Sequence, residues 1–160
     1  MDFSRFFNYE NVSEGISNEA FQFLSHWSKS EWEQILALCT VVPFKAGQVV
    51  IQQGETRQSF FIVAAGELEV LSENARGKVH HLAIIPKGAV FGEQSFIEGT
   101  PRSAEVRART DGEVMELTLT QFEVLAAQQP KLARDVLWDL ARILSARLRA
   151  TTSAFVELKR

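Results

Sequence analysis

The chain has 160 residues, of which 46% are hydrophobic and 23% charged, and its net charge is −3. Such a length and apolar content suit a single compact domain with a buried core. No uninterrupted apolar run approaches the ~18 residues of a membrane span, and Met1-Asp2-Phe3-Ser4-Arg5 does not open a signal peptide, so a cytoplasmic protein without membrane attachment is expected.

Residues 1–40 read as an N-terminal helical segment rich in aromatics. Phe3, Phe6 and Phe7 recur at helical spacing and make an apolar stripe, followed by Tyr9, Phe21, Phe23 and Trp27. Such a stripe packs on its own domain or, left exposed, marks a partner site. Ser30 followed by Glu33 reads as a capping box opening a helix from Glu31 to Cys39. The single cysteine, Cys39, cannot form an internal disulfide, and its apolar run Ile35-Leu36-Ala37-Leu38-Cys39 reads as core packing.

Pro43 marks the change to strands. From residue 41 to 118 the pattern is short β-rich runs broken by glycines at 47, 54, 66, 77, 88, 92, 99 and 112, which argues for a sandwich or barrel. Ser72-Glu73-Asn74-Ala75-Arg76-Gly77-Lys78 is a polar hairpin tip, and Pro86-Lys87-Gly88 is another turn. His80 and His81, adjacent on a strand, point to opposite faces, and with His26 they offer no zinc-binding spacing, so no metal is expected.

The strand pattern breaks at Glu93 to Ile97, where a short helix would aim free N–H groups at an anion. Around it, Phe91-Gly92-Glu93-Gln94-Ser95-Phe96-Ile97-Glu98-Gly99-Thr100-Pro101-Arg102-Ser103-Ala104 holds the residue types needed to bind a phosphate and a sugar hydroxyl together. Arg102 offers planar paired donors, Ser103 a hydroxyl, and the main chain near Gln94, Ser95 and Ala104 further N–H groups. Glu93, ionised, accepts a hydroxyl hydrogen. Pairing of Glu93 with Arg102 as a surface ion pair is the competing reading, worth about 1 kcal/mol at most.

Residues 119–160 are helical. Thr120 caps a helix through about Gln128, and Pro130 separates it from a long final helix ending near Leu158. Leu137, Leu140, Leu144, Arg147, Thr151, Ala154 and Leu158 alternate three and four apart, a heptad seam that predicts a homodimer through this helix. An amphipathic helix packed on its own barrel gives the same pattern. Residues 131–160 carry seven Lys/Arg against three Asp/Glu, a local +4 expected to solvate an outer face.

The ordered motifs resemble the cyclic nucleotide-binding domain family. Phe-Gly-Glu, a variable run and Pro-Arg-Ser-Ala resemble its phosphate-binding cassette. Gly47 to Glu55 resembles its opening strand and turn, Phe60 to Val70 the next hairpin, and Arg102 to Ala108 the strand leaving the cassette; the likeness covers roughly residues 30–158. It implies an α+β fold: an eight-stranded antiparallel β-roll, jelly-roll-like, flanked by N-terminal helices and a long C-terminal helix.

Residue by residue, the resemblance implies that Glu93 binds the ribose 2′-hydroxyl and Arg102 the cyclic phosphate. Ser103, the Ala104 amide and the amides of the turn Gly92, Glu93, Gln94 and Ser95 complete the cradle. Serine at position 103 leans towards cyclic AMP over cyclic GMP. Ala146 to Thr152 resembles the helix segment that caps the base, which makes Thr151 and Thr152 candidates for base contacts and Arg147 for one near the phosphate or the base face. Family members that bind DNA continue into a helix-turn-helix domain after the long helix. This chain stops at Lys159-Arg160, so direct DNA binding is not expected.

The resulting expectation is a stand-alone cyclic nucleotide sensor, without resident cofactor, whose terminal helices regulate a separate protein effector. Two alternatives stay open: a degenerate fold serving as an interaction or dimerisation module, and a binder of a cyclic dinucleotide. Nothing arranges a nucleophile with a base, so an enzyme is not expected.

Overall fold

The computed structural model describes residues 23–160; the Phe3, Phe6 and Phe7 stripe lies outside the described residues. In chain order the elements are α1 (Lys29–Leu36), β1 (Thr40–Phe44), β2 (Val49–Ile51), β3 (Ser59–Ala65), β4 (Leu68–Glu73), β5 (Val79–Ile85), β6 (Val90–Phe91), α2 (Glu93–Glu98), β7 (Glu105–Ala108), β8 (Gly112–Thr118), α3 (Leu119–Gln128) and α4 (Pro130–Leu158). The eight strands make two four-stranded antiparallel sheets, ordered β1-β8-β3-β6 and β2-β7-β4-β5. This is the expected α+β architecture, with the roll assembled from two sheets packed on each other.

Strand periodicity sorts the core into two layers. On β3, Phe61 and Val63 face the other sheet and join Phe44, Ile51, Leu68, Ile85, Phe91 and Val106 inside the roll. The alternate residues Phe60, Ile62 and Ala64 face the helices and pack with Trp32, Ile35, Phe122, Leu125, Val136 and Leu140. β3 is therefore buried on both faces, and a continuous apolar run is what such a strand requires. Where β3 and β8 slip register between Val63 and Ala65, a Cβ on Gly112 would lie 2.2 Å from the Ala65 carbonyl oxygen, so only glycine admits that approach.

Several local expectations need correction. The N-cap of α1 is Ser28, with Glu31 closing the capping box, not Ser30 with Glu33; the helix starts at Lys29 and ends at Leu36. Likewise Thr118, not Thr120, caps α3, with Gln121 completing the box. Pro43 does not precede the strands but lies within β1. β1 is an edge strand, where a residue without an N–H loses no necessary ladder bond. Cys39 packs against the helical core as expected, and burial, reinforced by the Glu116 charge, pushes its thiol pKa up to about 12.

The first half of α4 is built into the fold. Leu132, Ala133, Val136, Leu140 and Ile143 are buried, and the buried Asp139 accepts the Leu24 N–H at 2.5 Å and an Arg142 bond at 2.7 Å. Beyond Leu144 the helix carries exposed Leu148, Phe155, Val156 and Leu158.

This changes the expected seam. Leu140 is fully buried in the chain's own core, and Arg147 turns to the β6–α2 junction. The outward apolar row instead combines Leu137, Leu144, Thr151 and Leu158 with Ala141, Leu148 and Phe155, one residue further round the helix.

Candidate functional site

The site forms where β6 runs into α2. Gly92 occupies the N-cap position with φ 79 and ψ 6, a left-handed conformation that glycine adopts without cost. Its lack of a side chain is also required by space: a Cβ there would lie 2.8 Å from Arg102 Nη1 and 3.3 Å from the Phe61 ring. The Gly92 carbonyl accepts from Phe96 N–H at 3.3 Å. Glu93, Gln94 and Ser95 open α2, and their N–H groups have no intrahelical acceptor. Phe96 fixes the helix through edge-to-face contacts with Phe60 (4.9 Å) and Phe122 (5.5 Å).

Arg102 is 4% exposed, an unusual burial for a guanidinium, and it is held from several sides. Its Nη1 donates to the Gly92 carbonyl at 2.7 Å and its Nη2 to Ser59 Oγ at 3.0 Å. The Glu55 carboxylate stands 3.8 Å from Nε. That Nε is buried and has no hydrogen-bond partner. The guanidinium lies over the Phe61 ring at 5.7 Å, and Phe61 stacks on Phe91. Burial pushes the Arg102 pKa down, while the carboxylates of Glu55, Glu116 and Glu93 oppose the shift; arginine starts high enough to remain cationic.

Glu93 is 3% exposed and does not pair with Arg102. Its carboxylate accepts from Arg147 Nη1, and Arg147 Nη2 donates to the Val90 carbonyl at 2.5 Å. One arginine of α4 thus ties that helix to the β6–α2 junction. Ser103 is exposed, with its hydroxyl 3.5 Å from Gln94 Oε1, and Ala104 is half-buried beside it. Ser95 is buried and Gln94 exposed.

The threonines are placed differently from the other candidates. Thr151 Oγ1 donates back to the Arg147 carbonyl at 3.0 Å and Thr152 Oγ1 to Leu148 O at 2.9 Å, and both are exposed. Thr151 lines a cleft of about 380 Å³ with Leu144, Arg147 and Leu148 of α4 and with Gln94, Ile97 and Glu98 of α2. Thr152, about 100° further round the helix, does not line it. Among the described residues no group of three or more His, Cys, Asp or Glu could hold a metal ion, and no helix is long and apolar enough to cross a membrane.

The model of the cyclic nucleotide-binding domain matches residues 41–129. The chain belongs to the cyclic nucleotide-binding domain family. A cAMP-dependent protein kinase regulatory subunit of Blastocladiella emersonii is 34% identical over 91 residues, 57% of this chain and 23% of that protein. The cAMP-activated global transcriptional regulator CRP of Salmonella typhimurium is 32% identical over 123 residues, 76% of this chain and 56% of that protein. The chain thus spans about half of one relative and a quarter of the other. Among solved structures, Thermus thermophilus catabolite activator protein superposes with a TM-score of 0.74 at 26% identity, covering 88% of this chain and 62% of that one. A cyclic nucleotide-binding domain from Methylobacillus flagellatus shares the fold with a TM-score of 0.76 at 23% identity, over 97% and 83% of the two chains.

Of the residues singled out in the sequence, the structure brings Arg102 to the Gly92 carbonyl and Arg147 to the Glu93 carboxylate. Sequence reading missed Ser59 and Glu55, which hold Arg102 from outside the cassette. The one available signal was a serine at the head of the otherwise apolar run Ser59-Phe60-Phe61-Ile62-Val63, where a buried hydroxyl needs a partner.

Proposed function

We propose that the chain is a cyclic mononucleotide sensor that prefers cyclic AMP, with cyclic GMP second. The carrying observation is Arg102: a buried cation fixed by Gly92 O and Ser59 Oγ, with an Nε that makes no hydrogen bond, near a helix start whose first amides have no intrahelical acceptor. Arg102, Ser103, the Ala104 amide and the α2 amides hold the cyclic phosphate. Glu93 takes the ribose 2′-hydroxyl. Thr151, in the cleft beside Leu144 and Leu148, meets the base, and Thr152 stands one step round the helix.

The ligand acts by shifting the second half of α4. Ribose binding at Glu93 competes with or reorganises the Arg147 contact, and base contacts exist only with the helix closed. The shift is bounded by the difference in ligand affinity between the two helix positions.

The outward row Ala141, Leu144, Leu148, Thr151, Phe155 and Leu158 pairs with the same row of a second copy, and the α4 surface in turn meets a protein effector. The protein works in the cytoplasm as one binding domain, with residues 1–40, 41–118 and 119–160 as its N-terminal, roll and C-terminal segments, and it carries out no reaction.

Calorimetric titration of wild type and Arg102→Ala with cyclic AMP and cyclic GMP tests the reading. Charge-assisted phosphate contacts are worth about 1.5–3 kcal/mol each, so the variant should bind about tenfold to a hundredfold more weakly. No heat with either nucleotide in wild type would refute it. For the dimer, light scattering should give twice the protomer mass for wild type and one protomer for Leu148→Asp.

A further inference from the structure

Residues 52–58, the loop between β2 and β3, converge on Arg102. Gly54 N–H donates to the Arg102 carbonyl and Arg102 N–H to the Glu55 carbonyl, each at 2.8 Å, so the loop clasps the arginine's main chain. Glu55 also brings its carboxylate to the otherwise unpartnered Nε.

The end of this loop is pinned to β8. Arg57 donates Nε and Nη2 to the two oxygens of Glu116, at 2.5 and 2.9 Å. Glu116 is 5% exposed and stands opposite Phe61, the ring beneath the Arg102 guanidinium. A carboxylate so buried is costly unless a cation meets it with good geometry, and a two-bond fork supplies that. The Arg57 side chain itself is 60% exposed, so it contributes little to core packing. Its evident work is to fasten the loop.

We propose that Arg57 and Glu116 are positioning residues. By pinning loop 52–58 to β8 they hold Glu55, and through it the Arg102 guanidinium, in the orientation that meets the phosphate. The inference rests on Arg102 being the phosphate ligand.

The test compares wild type, Glu116→Gln, Arg57→Ala and Arg57→Lys in two measurements. In the ligand-free protein, NMR follows the Arg102 Nε–H signal, assigned by its absence in Arg102→Lys. Calorimetry then measures cyclic AMP and cyclic GMP. Positioning predicts that Glu116→Gln and Arg57→Ala shift the Nε–H signal and speed its exchange with water, and that each weakens the bound nucleotide by about tenfold, Arg57→Lys by less. A merely structural role would lower the melting temperature and leave the Arg102 signal unmoved, which would overturn the proposal, as would affinities within about twofold of wild type. Should Glu116→Gln not fold, the exposed Arg57 variants carry the test. If wild type binds neither nucleotide, the phosphate reading fails, while the Arg102 signal still decides whether the fork holds the guanidinium.

Discussion

Arg102 and Thr151, proposed here for the phosphate and the base, are treated by the fold in opposite ways. Arg102 is buried, bonded to Gly92 and Ser59, and backed by Glu55. Thr151 is exposed on a helix half that has left the core, and its hydroxyl bonds only to its own helix. If Arg102 takes the phosphate as proposed, that end is preorganised and binding there costs little reordering. On the same proposal the base end is completed by α4, and this incomplete end is where a signal can arise. A ligand whose every contact was preformed would bind tightly and move nothing.

Substitutions on the two ends should therefore differ in size and kind. The largest effect is expected from Gly92→Ala, which forces a side chain into the left-handed region and against Arg102. It should cost about 1–2 kcal/mol of stability by denaturant titration and most of the nucleotide affinity by calorimetry. A variant that binds normally would mean that the Arg102–Gly92 geometry is dispensable. Next, Glu93→Gln should weaken cyclic AMP by about tenfold and leave 2′-deoxy cyclic AMP nearly unaffected; equal losses for both would remove Glu93 from the ribose.

Arg147→Ala should destabilise the ligand-free protein by about 1–3 kcal/mol, because the buried Glu93 carboxylate loses its partner. Adding Glu93→Gln should recover part of that loss, and full additivity in the double variant would argue against the contact. The smallest effect belongs to Thr151→Val, a few-fold loss confined to the preferred base, since one exposed hydroxyl is worth about 1 kcal/mol at most. A loss as large as that for Arg102→Ala would erase the distinction between the two ends.

The proposed phosphate end was also the more legible in sequence. Gly92, Glu93 and Arg102 lie within eleven residues of each other and meet through one local turn. Ser59, Glu55 and the Arg57–Glu116 fork come from β3, its preceding loop and β8, and pair with residues more than forty positions away. No local pattern marks them.

The misplaced caps have a different cause. Ser28-x-x-Glu31 and Ser30-x-x-Glu33 both fit a capping box, as do Thr118-x-x-Gln121 and Thr120-x-x-Glu123. The helix start that buries Trp32, Ile35 and Leu36, and the one that follows directly from β8, decide between them. On α4, two rows share Leu137, Leu144, Thr151 and Leu158, and periodicity alone cannot separate Leu140 and Arg147 from Ala141 and Leu148. The separation comes from tertiary packing: Leu140 is needed inside and Arg147 at Glu93.

Hydrogen exchange measured along the chain with and without cyclic AMP reads out directly whether the ligand acts on α4. Slowed exchange is expected to concentrate in residues 144–158 of α4, with little change in β3 and β8, whose protection is already set by the fold. Unchanged exchange throughout, or protection gained in the roll while α4 stays as it was, would contradict it.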